Sequence, residues 1–191
     1  MTAARTIARA FLAAVVAALG VAALAGPAAA APAAPATGVR LDIVKVSGLI
    51  DPINADLISR SVRSAGNDHA LALVLELNSS GGTISPQARD ALAAQLLHAA
   101  VPVAIWVGGT GSPRALGTSF TLLRAAGFTG ESPGSKVGNG PPPPETLPDG
   151  LEHRTMSGDD AVDAHLLDSA SPTLVDFLAD LSGHTIKGVH I

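Results

Sequence analysis

Residues 71–123 constrain this chain more than any other stretch. Two apolar runs, residues 71–77 and 101–107, each lead straight into a glycine-rich loop, and each loop feeds a helix. The first loop is Asn78-Ser79-Ser80-Gly81-Gly82. The second runs from Gly108 through Gly109, Thr110, Gly111, Ser112 and Pro113 to Arg114. Near-continuous apolar strands of this kind belong in a parallel sheet covered on both faces. Parallel neighbours need crossovers, so strand, loop and helix must alternate. Glycines at the strand ends let backbone N–H groups approach a ligand closely.

The N-terminal stretch carries a different signal. Arg5 and Arg9 precede an uncharged run, residues 10–25, almost wholly of Ala, Val and Leu, and Ala28-Ala29-Ala30 follows. A basic start, an apolar middle and an A-x-A end predict a secretory leader over residues 1–30, cleaved near Ala30. The run is shorter than the ~20 residues that span a bilayer comfortably. An uncleaved membrane anchor is the alternative. Residues 31–39 read as a disordered lead-in, and residues 40–191 as one domain. The expected location is extracytoplasmic, either secreted or associated with the cell envelope.

Of the 12 basic residues, Arg5 and Arg9 lie in the leader, which leaves ten against 16 acidic, a net charge of −6. That balance argues against nucleic acid and anionic lipid as partners. The chain has no cysteine, which excludes thiol catalysis and thiolate metal sites. No cofactor is expected. His69, His98, His153, His165, His184 and His190 show no H-x-x-x-H spacing, so no metal site is expected either. The acidic cluster Asp159, Asp160 and Asp163 lacks the alternating ligands and closing Glu of a calcium loop, and reads as a helix start.

The remaining elements follow from local signals. Residues 41–46 predict a strand. Asp51-Pro52 starts a helix through about Val62 with Ile53, Leu57, Ile58 and Val62 on one face. Ser85-Pro86 starts a second helix, with Leu92, Leu96 and Ala99 inward. Residues 116–126 predict a third helix, and 127–130 a turn. Residues 141–144 are four prolines and 141–157 an acidic, proline-rich loop, because Pro breaks helix and central strand alike. From Glu145 to Asp180 there are nine acidic residues and one basic, Arg154. A helix resumes around 160–165. Another starts at Ser171-Pro172 with Leu174, Phe177, Leu178 and Leu181 as its stripe. Residues 185–191 predict an edge strand, and Trp106 a core position.

Four segments, residues 44–56, 73–82, 101–107 and 132–139, together resemble the NfeD-type exported or membrane-associated serine proteases of the ClpP/crotonase superfamily. The resemblance implies an α/β fold of repeated βαβ units around a mostly parallel sheet, in a single domain. It also implies a Ser nucleophile, a Lys base and a backbone oxyanion site. Gly81 and Gly82 match the family's Gly-Gly loop. Counted without gaps from Val101-Pro102-Val103, the family's serine falls on Leu116, which has no nucleophilic atom. The family's lysine would lie in the segment that residues 141–157 replace, and no lysine occurs between Val137 and Ile186.

The expected function is therefore a non-catalytic relative that binds peptide segments, or membrane or exported proteins, through a retained cleft. One alternative is an active serine hydrolase with a displaced nucleophile, Ser119 or Ser112, and Lys136 as a stray base. Another is a crotonase-like module that grips an acyl ligand. Proteins of this fold commonly assemble, so a homo-oligomer is possible.

Overall fold

A computed structural model describes residues 40–144, 146 and 150–191. The predicted leader, its cleavage point and the lead-in lie outside the described residues. The described residues belong to one compact unit. No helix among them is long and apolar enough to cross a membrane.

The chain begins with β1 (Leu41–Ser47), α1 (Pro52–Asn67), β2 (Ala72–Asn78), α2 (Pro86–Leu97) and β3 (Val103–Val107). A short β4 (Arg114–Leu116) and α3 (Thr118–Arg124) follow, then β5 (Phe128–Glu131), β6 (Lys136–Gly138), β7 (Thr155–Ser157), α4 (Gly158–Asp163) and β8 (Ser169–Ala170). The chain closes with α5 (Leu174–Leu181), β9 (Thr185–Ile186) and β10 (Val189–His190). The main sheet has the order β1-β2-β3-β5-β8, and every pairing in it is parallel. This is the expected α/β architecture.

Strand periodicity divides the core. Leu73, Leu75 and Leu77 of β2 join Val103, Ile105 and Val107 of β3 in one apolar cluster, with Ile58, Leu92, Leu96 and Phe120 from the helices. The alternate residues Val74, Ala104 and Trp106 face the other side, against Phe128, Phe177 and Leu181. Both faces of β2 and β3 are thus covered, which is why these strands read as unbroken apolar runs. Trp106 is buried, and its indole N–H donates to the Ser171 carbonyl at 3.0 Å.

The helix starts behave as their sequence dictates. Asp51 and Ser85 accept from the amides of Asn54 and Ala88, each with Pro directly after the cap. The Asp51 and Ser85 side chains thereby satisfy amides that a first turn leaves unpaired. α1 runs to Asn67, a full turn past the expected end, because Val62 and Ala65 both pack inward. Ile53, expected inside, is 76% exposed. At the other end of the chain, Thr173 rather than Ser171 caps α5, in a reciprocal capping box with Asp176.

Three differences from the sequence reading matter for the site. Residues 128–131 are a central strand, not a turn. Phe128 and Gly130 allow it because Phe177 packs directly on Gly130, where a Cβ would lie 2.6 Å from the ring. A second small sheet, β4-β6-β7, also stands beside the main one. Finally, residues 185–191 form a hairpin, β9 with β10, around Lys187-Gly188, both at positive φ.

Candidate functional site: glycine-rich loops at the strand ends

The carboxyl ends of β2 and β3 carry the two glycine-rich loops, the position where open α/β sheets place ligands. The Asn78 side chain joins the loops. Its amide N–H donates to the Thr110 carbonyl at 3.3 Å, and its Oδ1 accepts from the Arg114 amide at 3.3 Å. The Ser79 amide donates to the Arg114 carbonyl at 2.7 Å, and the Leu116 amide donates to the Ser79 carbonyl at 3.1 Å. β4 is thereby fastened alongside the first loop.

Gly81 has φ +145, a backbone region effectively restricted to glycine. Its carbonyl accepts from Ile50 N–H at 2.9 Å, and Thr83 N–H donates to the Ile50 carbonyl at 3.0 Å. These bonds hold residues 81–83 extended beside Ile50. Gly82, between them, must turn its own N–H and C=O the opposite way. Gly82 is exposed, and among the described residues neither group has a hydrogen-bond partner.

Opposite Gly82 the chain turns from β4 into α3 at Gly117, with φ +58 and ψ −124. The Gly117 amide donates to the Gly138 carbonyl at 3.0 Å. A Cβ on Gly117 would lie 3.5 Å from Gly81 Cα. Gly117 thus approaches the Gly81-Gly82 loop, next to the Leu116 that sequence counting selects. Neither residue offers a nucleophile. Gly140 backs the turn so closely that a Cβ there would clash with the Gly117 carbonyl oxygen.

The other sequence candidates are dispersed. Ser119 is fully buried, with its hydroxyl 2.9 Å from the Ser79 carbonyl and 2.8 Å from the Leu116 carbonyl. It joins the first loop to the turn. Ser112 is exposed in the second loop, where its carbonyl accepts from Arg114 Nε at 3.2 Å. Lys136 is exposed at the start of β6, in register with Arg114 and Ser157. Two residues of strand, about 7 Å, separate it from Gly138, which meets the turn. Among the described residues no group of three or more His, Asp or Glu side chains could hold a metal ion.

Two residues that the sequence did not single out belong to this region. Thr118 opens α3, half-buried, and a Cβ built on Gly82 would lie 2.7 Å from its Oγ1. Glu131 ends β5, fully buried. Its Oε2 accepts from the Ser135 hydroxyl at 2.7 Å, and its Oε1 has no partner. Burial pushes the Glu131 carboxyl above the ordinary carboxylate range; the Ser135 bond lowers it in part, and nearby Asp159 adds to the rise. Thr118 could not be singled out because its nearness to Gly82 depends on β4 docking on the loop. Glu131 was hidden because its strand read as a turn.

No protein-family model and no curated protein sequence matches this chain. Solved structures do. The 1510-N membrane protease specific for a stomatin homolog, from Pyrococcus horikoshii, is 16% identical with a TM-score of 0.66, over 78% of this chain and 82% of that one. A mutant of the 1510-N membrane-bound stomatin-specific protease in complex with a substrate peptide gives 15% and 0.67, over 79% and 84%. An enoyl-CoA hydratase/isomerase family protein from Silicibacter pomeroyi gives 17% and 0.55, over 73% and 77%. With its parallel sheet of order β1-β2-β3-β5-β8, the chain has the fold shared by the ClpP-like NfeD-type protease and the crotonase-family enzymes.

Proposed function

We propose that this chain is a non-hydrolytic peptide-binding protein, which acts outside the cytoplasm and holds an extended segment of a partner against residues 81–83. One observation carries this reading. The Gly82 N–H and C=O face away from Ile50 with neither engaged, beside a turn whose residues, Leu116 and Gly117, have no nucleophile. An exposed strand edge of this kind recruits an extended peptide through backbone bonds. The structural likeness to a protease with a bound substrate peptide supports the same reading.

Hydrolysis would need a hydroxyl activated by a base. Ser119 has its hydroxyl committed to two carbonyls inside the core, and Lys136 lies on the far part of β6. The expected outcome is saturable, micromolar binding of fluorescein-labelled dodecapeptides rich in Val and Thr, read by fluorescence polarisation, with no cleavage on overnight incubation. A fluorophosphonate probe should not label the protein. Labelling abolished by Ser119→Ala would overturn the non-hydrolytic reading, and a complete absence of peptide binding would overturn the cleft's role. The mass of the protein recovered from its native host tests export, with an N-terminus near residue 31 expected.

A further inference from the structure

We infer that the Thr118 hydroxyl is the second hydrogen-bond donor of the cleft, and that together with the Gly82 N–H it holds one carbonyl oxygen of the bound peptide. This rests on the peptide-binding reading and adds to it a side chain that sets affinity. The hydroxyls around the turn divide clearly. Ser79 Oγ is engaged with the Gly81 carbonyl at 2.9 Å. Ser119 Oγ is engaged with two carbonyls. Thr121 Oγ1 donates to the Pro141 carbonyl at 2.7 Å. Thr118 is half-buried, and its hydroxyl has no hydrogen-bond partner among the described residues.

The Thr118 side chain stands close to Gly82, on the face where a Cβ would project past the Ile50 carbonyl. A Cβ on Gly82 would lie 2.7 Å from Thr118 Oγ1 and 2.8 Å from Thr118 Cβ, so the whole side chain stands against Gly82. Backbone N and Cβ on one residue are about 2.5 Å apart, which places Gly82 N within about 5 Å of Thr118 Oγ1. Two donors can share an acceptor when each lies about 2.9 Å from it, which requires a separation below about 6 Å. The hydroxyl rotates freely about its Cβ–Oγ bond, so it can aim at an oxygen already bonded to the Gly82 N–H. A side chain at residue 82 would meet both Thr118 and the Ile50 carbonyl oxygen, 2.8 Å from its Cβ, which favours glycine there.

The test uses the full-length protein and a single fluorescein-labelled Val/Thr-rich dodecapeptide. Thr118→Val keeps the branched shape against Gly82 and removes only the donor. It should weaken Kd about three- to tenfold, the effect of losing one neutral hydrogen bond. Thr118→Ser keeps the donor and should bind within about twofold of the parent. The Gly82 amide proton, followed by NMR, should move downfield on peptide addition in the parent and the Ser variant, and less in the Val variant. Parent and Val variant binding equally, at equal Tm, would overturn the assignment while leaving peptide binding intact. Equal losses in the Val and Ser variants would also overturn it, because shape rather than the hydroxyl would then be responsible. No binding by the parent protein would remove both readings.

Discussion

Glu131→Gln tests the buried carboxyl at the end of β5. The side chain is fully buried, one oxygen is bonded to Ser135, and the other has no partner. Burial therefore favours the protonated form, and the folded carboxyl titrates above its unfolded value of about 4.3. The native state then binds this proton more tightly than the unfolded chain does. Its contribution to stability is full below the unfolded value and falls as pH rises through the folded one. The limiting slope for one proton is about 1.4 kcal/mol per pH unit. Glutamine keeps an acceptor for Ser135 and cannot ionise. An unsatisfied buried acceptor costs about 1–3 kcal/mol, more when charged. Relative to the parent, Glu131→Gln should therefore gain on the order of 1–2 kcal/mol at pH 8. Near pH 4 it should be neutral or slightly destabilised. Urea unfolding at pH steps from 4 to 8.5, with tryptophan emission as the probe, gives the two curves. Parallel curves would refute the reasoning, because they would show that Glu131 titrates no differently in the folded and unfolded chains.

Three further outcomes are expected. Ser119→Ala removes the donor shared by the Ser79 and Leu116 carbonyls; it should cost about 1–2 kcal/mol in urea unfolding, and an unchanged midpoint would show that these bonds contribute nothing. Leu116→Ser and Gly117→Ser should each give no turnover of a p-nitrophenyl ester or a fluorogenic peptide, since neither brings a base with it, and measurable turnover from either would reveal a base not recognised here. Gly140→Ala should cost about 1–3 kcal/mol through overpacking, because its Cβ would clash with the Gly117 carbonyl oxygen; a wild-type Tm would mean that the turn can move aside without penalty.

The order β1-α1-β2-α2-β3 was legible because each element carries its own signal. Leu73, Leu75 and Leu77 alternate with Val74 on two covered faces, and Asp51-Pro52 and Ser85-Pro86 mark helix starts. β4, β6 and β7 were not legible. Each has three residues, with Arg114, Lys136 or Thr155 at an end, and each is a strand only by virtue of its neighbours. β5 was obscured by Gly130, whose missing side chain makes room for Phe177. The same division holds for the site. Gly81 and Gly82 announce a backbone loop in sequence. Counting in sequence reaches Leu116, and the structure sets Gly117 beside it at the turn into α3. Thr118 and Glu131 became visible only once strands from distant parts of the chain were laid side by side.

The Asn78 side chain, bonded to both Thr110 and Arg114, has a mechanical consequence. It acts as a tie rod between two loops that would otherwise report separately on their surroundings. A strand pressed onto the first loop must either carry the second loop with it or break that tie. The second loop holds Gly109 and Gly111 at positive φ and is exposed around Gly111 and Ser112. Movement of either loop therefore strains the Asn78 bonds to Thr110 and Arg114, so the two loops shift together or part.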